Sequence, residues 1–183
     1  MMVSAETLLL RDGSGCVIRP AAPEDAPRML RYMKRMLGET PYLLREPEEF
    51  DYTAEEEAEI LVRRREDPRA LMLLAEKDGE IIANADVRAQ SPRSRARHRA
   101  VLGISVLEAY WRQGIGSALM ERLIAFAAEA GFEQIELEAV AQNRRALSLY
   151  AKFGFTVYGT RPHGMKYADG SYADDCLMIR TLR

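Results

Sequence analysis

Two glycines, Gly114 and Gly116, lie between an apolar run and an amphipathic segment. Residues 101–107 are typical of a strand, and the spacing of apolar residues over 116–130 indicates a helix. The first turn of a helix has unpaired N–H groups and the positive end of the helix dipole, and glycine lets a ligand approach them. The pair therefore predicts a site for a phosphate-like anion, or a tight turn that needs only small residues.

A second segment that could do chemistry runs from Asn143 to Gly154. Residues 143–153 are expected to form a short helix with Tyr150 on its apolar face, and Gly154 suits the end of a helix. A tyrosine hydroxyl can donate a proton. Helical spacing by itself, however, favours a core position for Tyr150, with its hydroxyl bonded to backbone.

Composition excludes several classes of function. A length of 183 residues predicts a single domain over 1–183, and a net charge of -2 predicts no nucleic-acid or membrane partner. The chain has no apolar stretch long enough to span a membrane and no signal-peptide pattern, so a cytoplasmic location is expected. Cys16 and Cys176 are interpreted as buried reduced thiols, and no metal site is predicted.

The N-terminal half reads as two hairpins and two helices. Strands over 7–10 and 16–19 flank a glycine-rich turn, and strands over 70–75 and 80–88 flank Lys77-Asp78-Gly79. Between them, one helix is predicted from Pro23 to about Leu37 and another from Thr53, with Glu56 completing a capping box.

The C-terminal half completes the predicted sheet. A strand over 135–140 follows the glycine helix, so it should pair in parallel with the strand over 101–107 through a right-handed crossover. Strands over 155–159 and 176–182 are expected to flank a long loop. Alternating arginines over 91–99 are interpreted as a solvated hairpin tip, because no aromatic residues interleave for base stacking.

The segment from Gln113 to Leu119 and the segment from Asn143 to Phe155 together resemble the GNAT superfamily of acetyl-CoA-dependent N-acetyltransferases. The resemblance covers about residues 16–182 and implies an α/β fold. Its mixed, mostly antiparallel sheet would have a V-shaped splay between the two central parallel strands, produced by a bulge, with about four flanking helices. The family often has arginine or glutamine three residues before the first glycine, where this chain has Trp111.

The resemblance also implies roles for individual residues in binding acetyl-CoA. Backbone amides would hold the pyrophosphate, and the strand ending at Val106 would pair with the pantetheine arm. Asn143 would hold the cofactor from the opposite wall of the cleft. The Val106 N–H would donate to the oxygen on which charge develops, and Tyr150 would protonate the departing thiolate. The expected cofactor-binding residues are Ile104, Val106, Leu107, Arg112, Gln113, Gly114, Ile115, Gly116, Ser117, Asn143, Ala146 and Tyr150.

An amine acceptor must lose a proton before it attacks a thioester, so the reaction needs a base. Glu138 is the first candidate, and the alternatives are Glu108, Asp86 or a chain of water molecules. His98 is interpreted as structural and His163 as an exposed loop residue.

The identity of the acceptor depends on the loops over 38–50 and 161–175. Their acidic residues favour small cationic amines or peptides, and these residues include Glu39, Glu46, Glu48 and Glu49. The family also implies a homodimer formed through the C-terminal strands.

Two rival interpretations remain beside the enzyme. One is a dinucleotide-binding fold, although Leu119 replaces the third glycine that it requires. The other is a non-catalytic module that binds acyl-CoA as a sensor or scaffold, because a fold alone never proves activity.

Overall fold

The computed structural model describes residues 4–182, and within them the chain forms eight strands and four α-helices. In chain order these are β1 (Glu6–Leu9), β2 (Gly15–Pro20), α1 (Ala26–Glu39), α2 (Ala54–Glu66), β3 (Leu71–Lys77), β4 (Glu80–Ala89), β5 (Arg99–Val106), α3 (Ile115–Glu129), β6 (Gln134–Val140), α4 (Arg144–Lys152), β7 (Thr156–Lys166) and β8 (Tyr172–Thr181). None of the helices in this described part is long and apolar enough to cross a membrane.

All eight strands form one sheet, in the order β1-β2-β3-β4-β5-β6-β8-β7. Neighbouring strands are antiparallel except β5 and β6, which are parallel. The crossover between these two strands is α3. The predicted mixed, mostly antiparallel sheet with about four helices is therefore confirmed.

Local turn and cap chemistry accounts for several elements. In the β3–β4 turn, Asp78 and Gly79 both have positive φ, at 52° and 81°, which matches the right-handed twist of a hairpin. At the start of α2, the Thr53 hydroxyl accepts from the Glu56 N–H, and the Glu56 carboxylate accepts from the Thr53 N–H. The predicted capping box is thus confirmed.

The sheet separates two apolar layers. One layer lies under α3 and α4 and includes Leu119 and Leu123, and the other lies under α1 and α2 and includes Met29 and Leu61. A buried carboxylate, Asp25, joins the start of α1 to the sheet through ion pairs. Its partners Arg19 and Arg28 also contact Glu76 of β3.

The two parallel strands pair only at their beginnings. The last paired residues are Val101 and Glu136, and beyond them the strands separate as the resemblance implied. The expected bulge, however, is not found in the described β4–β5 pairing, which is regular from Ala89–Ala100 to Ala83–Val106. A register shift lies instead in the β3–β4 pairing, where Ala75 pairs with Ala83 and Glu76 with Ile81, so that Ile82 of β4 is the extra residue. The separation arises because β5 stays hydrogen-bonded to β4 along its length while its pairing with β6 stops early.

One other expectation was wrong. Most of residues 161–175 belongs to strands rather than to a long loop, because β7 and β8 continue to pair as far as Lys166 and Tyr172. The arginine-rich segment is the predicted solvated hairpin tip, because it joins the antiparallel strands β4 and β5, leaves Arg93, Arg95 and Arg97 exposed, and contains a 3₁₀ turn at Ser94–Ala96.

Candidate active site

A cleft of about 410 Å³ opens where β5 and β6 separate. Its walls are the ends of these two strands, the start of α3 and one face of α4, and its other mouth is lined by the end of α1 and the loop that follows it. Lining residues include Ile104, Val106, Arg112, Gly114, Ile115, Gly116, Ser117, Glu138, Asn143, Ala146 and Tyr150. The structure therefore brings together most residues of both sequence motifs.

The backbone of β5 presents donors to this cleft. Leu107 donates its N–H to Ile82, and Arg99 accepts from Gln90, so the odd-numbered residues of β5 pair with β4. In an antiparallel strand, successive residues turn their N–H and C=O groups to opposite sides. The N–H groups of Ile104 and Val106 consequently face the gap, with Ile104 closer to the point where the strands part.

Residues 112–117, here called the glycine loop, form a cradle of backbone donors. Arg112 and Gly114 have positive φ values of 62° and 96°, and Gly114 begins α3 without a side-chain cap. Within residues 4–182, no protein group accepts a hydrogen bond from the backbone N–H groups of the glycine loop. A Cβ on Gly116 would lie 3.2 Å from Leu149, so glycine allows α3 to approach α4.

Charge is distributed unevenly along the cleft. Arg112 lies in the glycine loop, Arg145 on α4 and Arg11 in the β1–β2 turn, and all three line the cleft. Among the described lining residues, Glu138 is the only carboxylate, and it lies on the opposite strand, β6. Three guanidinium groups with unpaired amides and a helix N-terminus suit a polyanion such as a pyrophosphate.

Tyr150 on α4 is 6% exposed, and its ring lies 6.1 Å from that of Phe155. Burial raises the pKa of Tyr150 to about 12. Within residues 4–182, no protein group hydrogen-bonds to its hydroxyl, yet no fully buried side-chain oxygen there lacks a partner. The hydroxyl must therefore reach the open space of the cleft, rather than backbone as helical spacing alone suggested.

Asn143 has two functions in the structure. Its side-chain oxygen accepts from the Ala146 N–H at 3.2 Å and so caps α4. Its side-chain NH₂ has no protein partner in the described residues and can donate into the cleft.

Glu138 forms an ion pair at the cleft. Arg161 of β7 donates to both Glu138 oxygens, at 2.6 and 2.7 Å, and also to buried Asp175 at 3.3 Å. The hydrogen bond to Glu138 raises the pKa of Arg161 above its ordinary value. The candidate base is thus the ion-pair partner of an arginine from the C-terminal hairpin.

Two expected cofactor residues lie differently from the sequence expectation. Leu107 is 2% exposed and packs under α1 and α2, while its N–H is bonded to Ile82, so it does not line the cleft. The Gln113 side chain points to the β1–β2 turn, where it accepts from the Asp12 N–H.

The other candidate bases lie outside the cleft lining. The Glu108 N–H is bonded to Glu39, and Asp86 is ion-paired with Arg88 at 3.0 Å. The rings of His163 and Tyr172 stack at 4.5 Å. His98 uses its carbonyl oxygen to accept from Glu133.

The acidic residues expected to attract a cationic acceptor are partly engaged within the protein. Glu39 accepts from Arg35 and from the Glu108 N–H, and Glu49 accepts from the Glu46 N–H. These contacts weaken the expectation of a cationic acceptor.

Sequence reasoning missed Trp111, Arg145 and Arg11. Trp111 was noted only as a departure from the family pattern, although its indole contacts β5 and Arg145. No sequence pattern indicated a site role for Arg11, because its place in the cleft lining depends on the position of the β1–β2 turn in the folded sheet.

Comparisons with known proteins agree with this geometry. The model of the acetyltransferase (GNAT) family matches residues 31–155. The L-amino acid N-acetyltransferase AaaT of Escherichia coli (strain K12) is 34% identical over 116 residues, which cover 62% of this chain and 69% of that protein. An N-alpha-acetyltransferase of Sulfurisphaera tokodaii is 31% identical over 122 residues, which cover 62% of this chain and 72% of that protein.

Solved structures share the whole fold. The acetyltransferase of the GNAT family from Streptococcus pneumoniae superimposes with a TM-score of 0.86 at 29% identity, covering 91% of this chain and 99% of that chain. The structure of yncA from Salmonella typhimurium, solved with its cofactor acetyl-CoA, has a TM-score of 0.81 at 20% identity. That match covers 93% of this chain and 95% of that chain, and it supports the fold alone.

Proposed function

Because this chain belongs to the GNAT family and is an N-acetyltransferase that uses acetyl-CoA, we propose that it transfers the acetyl group directly to a primary amine. The transfer would occur in a ternary complex within the β5–β6 cleft. The single observation that carries the proposal is the cleft itself. It joins a cradle of unpaired amides to two strand N–H groups and an open tyrosine hydroxyl.

The residues present fit acetyl-CoA. The glycine loop has unpaired N–H groups, positive φ at Arg112 and Gly114, and no Cβ at Gly114 or Gly116, so it can hold a pyrophosphate. Ile104 and Val106 would bind the pantetheine arm through their gap-facing backbone groups. Asn143 and Ala146 would form the opposite wall. When bound, the cofactor supplies an acetyl group activated as a thioester.

Val106 is proposed to stabilise developing negative charge through its N–H, which β4 does not use. The Ile104 N–H faces the same gap and can play the same role, two residues nearer the point where β5 and β6 separate. Tyr150 is proposed to hold its proton at the hydroxyl and pass it to the departing sulfur. Its raised pKa, about 12, keeps that proton in place at neutral pH.

Glu138 is proposed to accept the proton of the amine. Its carboxylate lines the cleft and accepts two hydrogen bonds from Arg161. Arg161 places a half-exposed guanidinium beside Glu138, the one carboxylate in the described cleft lining. A zwitterion can replace this pair, with its ammonium on Glu138 and its carboxylate on Arg161.

For this reason we favour the α-amino group of a free amino acid as the acceptor, and the name of the Escherichia coli relative supports the same class. The test measures free thiol released from acetyl-CoA with amino acids, the matching amino acid amides and diamines. We expect release to depend on the amine and to be faster with the free amino acids. Equal rates with the amino acid amides would show that the carboxylate of the acceptor is not recognised. Tight cofactor binding without amine-dependent thiol release would favour the non-catalytic acyl-CoA sensor.

A homodimer formed through the C-terminal strands is also proposed. It is supported by β7, an edge strand of 11 residues on which Val157 and Tyr158 are 53% and 57% exposed. Sedimentation of the wild type and of V157K would test it. A monomeric wild type at micromolar concentration would refute it.

A further inference from the structure

Trp111 connects the end of β5 to the glycine loop. Its indole Nε1–H donates to the Val106 carbonyl at 2.7 Å. Because the N–H and C=O groups of a strand residue face the same side, this carbonyl belongs to the gap edge of β5. Trp111 therefore occupies a backbone acceptor on the edge that β6 leaves unpaired.

The indole is held in place from its other side as well. The guanidinium carbon of Arg145 on α4 lies 3.1 Å from the centre of the Trp111 ring system, a cation–π contact. Trp111 is half-buried and lines the cleft. Its N–H is consequently fixed towards Val106 by packing as well as by hydrogen bonding.

We propose that Trp111 is a positioning residue that sets the register of the pantetheine arm on β5. This inference rests on the proposed pairing between that arm and the gap edge. With the Val106 carbonyl occupied, the gap-facing groups left open are the Val106 N–H and the N–H and C=O of Ile104. An amide N–H of the arm must then use the Ile104 carbonyl.

A wrong register would displace the cofactor along β5 by a distance that is large relative to the cleft. A ligand that paired with Val106 instead of Ile104 would be displaced by two residues, or about 6.6 Å along the strand. Such a displacement would separate the reacting end of the cofactor from Tyr150. By occupying the Val106 carbonyl, Trp111 favours the register in which the arm pairs with Ile104.

The fold of β5 does not depend on Trp111. From the other face, the Tyr32 hydroxyl donates to the Ser105 carbonyl at 2.9 Å, and Leu107 donates to Ile82. These bonds hold the end of the strand on β4 and α1. Removal of the indole N–H should therefore change ligand pairing more than stability.

The test compares binding of two ligands by titration calorimetry. The first is coenzyme A, and the second is adenosine 3′-phosphate 5′-diphosphate, which has the pyrophosphate but no pantetheine arm. Trp111→Phe keeps an aromatic ring beneath Arg145 and removes the N–H. The freed Val106 carbonyl adds a competing register without removing the productive one. We therefore expect the turnover number of Trp111→Phe, followed by thiol release, to fall about fivefold, while its Kd for coenzyme A does not rise and its Kd for the nucleotide is unchanged.

Trp111→His is the rescue variant, because the imidazole Nε2 can occupy the place of the indole Nε1. We expect its turnover number to stay within about threefold of the wild type. The inference is overturned if Trp111→Phe leaves the turnover number unchanged or weakens the binding of both ligands equally. It is also overturned if the histidine variant turns over as slowly as the phenylalanine variant.

A different result would point to the proposed function instead. If the wild-type protein binds coenzyme A no more tightly than the nucleotide, contacts between the pantetheine arm and β5 do not contribute to affinity. The proposed pairing itself would then fail, before any variant is compared.

Discussion

Replacement of Tyr150 by phenylalanine removes one oxygen from the cleft and leaves the packing of the ring against Phe155 in place. Within residues 4–182 that oxygen has no hydrogen-bond partner, so its loss breaks no internal bond. We therefore expect the melting temperature to change by less than about 2 °C, since 1 kcal/mol corresponds to about 2–4 °C in a chain of this size.

The effect on the reaction should be much larger. A positioned general acid contributes roughly 10²–10⁴ in rate, so the turnover number of Tyr150→Phe should fall at least about 100-fold, or about 2.7 kcal/mol. Binding of coenzyme A should stay within about twofold, because the glycine loop and the β5 edge are unchanged.

The pH dependence gives an independent check. With the pKa of Tyr150 raised by burial to about 12, only about one hydroxyl in 10⁴ is ionised at pH 8. Activity of the wild type should therefore show no loss between pH 7 and 9 from deprotonation of this acid.

The assay follows thiol release at saturating acceptor, beside calorimetry with coenzyme A and thermal unfolding. Tyr158→Phe is the matched control, because Tyr158 is 57% exposed on β7 and lies outside the cleft lining. An unchanged turnover number in Tyr150→Phe would refute the acid role. A parallel loss of stability and turnover would show that the hydroxyl supports the fold instead.

Three further predictions concern the cradle, the ion network and the base. Gly114→Ala and Gly170→Ala both place a side chain at positive φ, 96° and 84°, so each should lose about 1–2 kcal/mol of stability. Only Gly114→Ala should raise the Kd for coenzyme A. An equal effect of both variants on this Kd would contradict cofactor binding by the glycine loop. Asp25→Asn should cost about 1.5–3 kcal/mol in chemical denaturation at pH 7, because it removes the charge-assisted hydrogen bonds that Arg19 and Arg28 make to this buried carboxylate. Burial alone would raise the pKa of Asp25, but hydrogen bonds from Arg19 and neighbouring groups hold it well below its usual range. The Asp25 contribution is therefore complete above pH 4 and is lost as the pH falls, so a wild-type acid slope that persists in Asp25→Asn would contradict it. Glu138→Gln should lower the turnover number at least about tenfold without changing the Kd for coenzyme A, and full activity at pH 7 would direct the search to a water chain.

Much of the fold followed from local chemistry. The Thr53 capping box, the Asp78–Gly79 turn and the helices before Asp67 and Gly131 were predicted with bounds close to those observed. Each depends on residues within a few positions of one another. The glycine loop belongs to the same class, because a strand, a positive-φ glycine and a helix N-terminus are all encoded within one short segment.

The C-terminal hairpin shows where local signals failed. Glycines and tyrosines over 161–175 indicated a loop, yet β7 and β8 extend into this segment, because Met165 and Lys166 pair with Ala173 and Tyr172 across the hairpin. The same pairing places Arg161 beside Glu138, which converts the candidate base into an ion pair. No pattern in either segment indicated that contact.

The sequence by itself determined the family, the order of elements and the glycine loop between a strand and a helix, because these depend on short-range turn chemistry and periodicity. Only the tertiary structure decided which backbone groups of β5 face the cleft, since that depends on the register with β4 and on where pairing with β6 stops. It also decided that Leu107 faces the core, that Trp111 contacts Val106, and that the Tyr150 hydroxyl is open. Side-chain direction along a strand alternates with every residue, so these roles could be assigned only after the strands were paired.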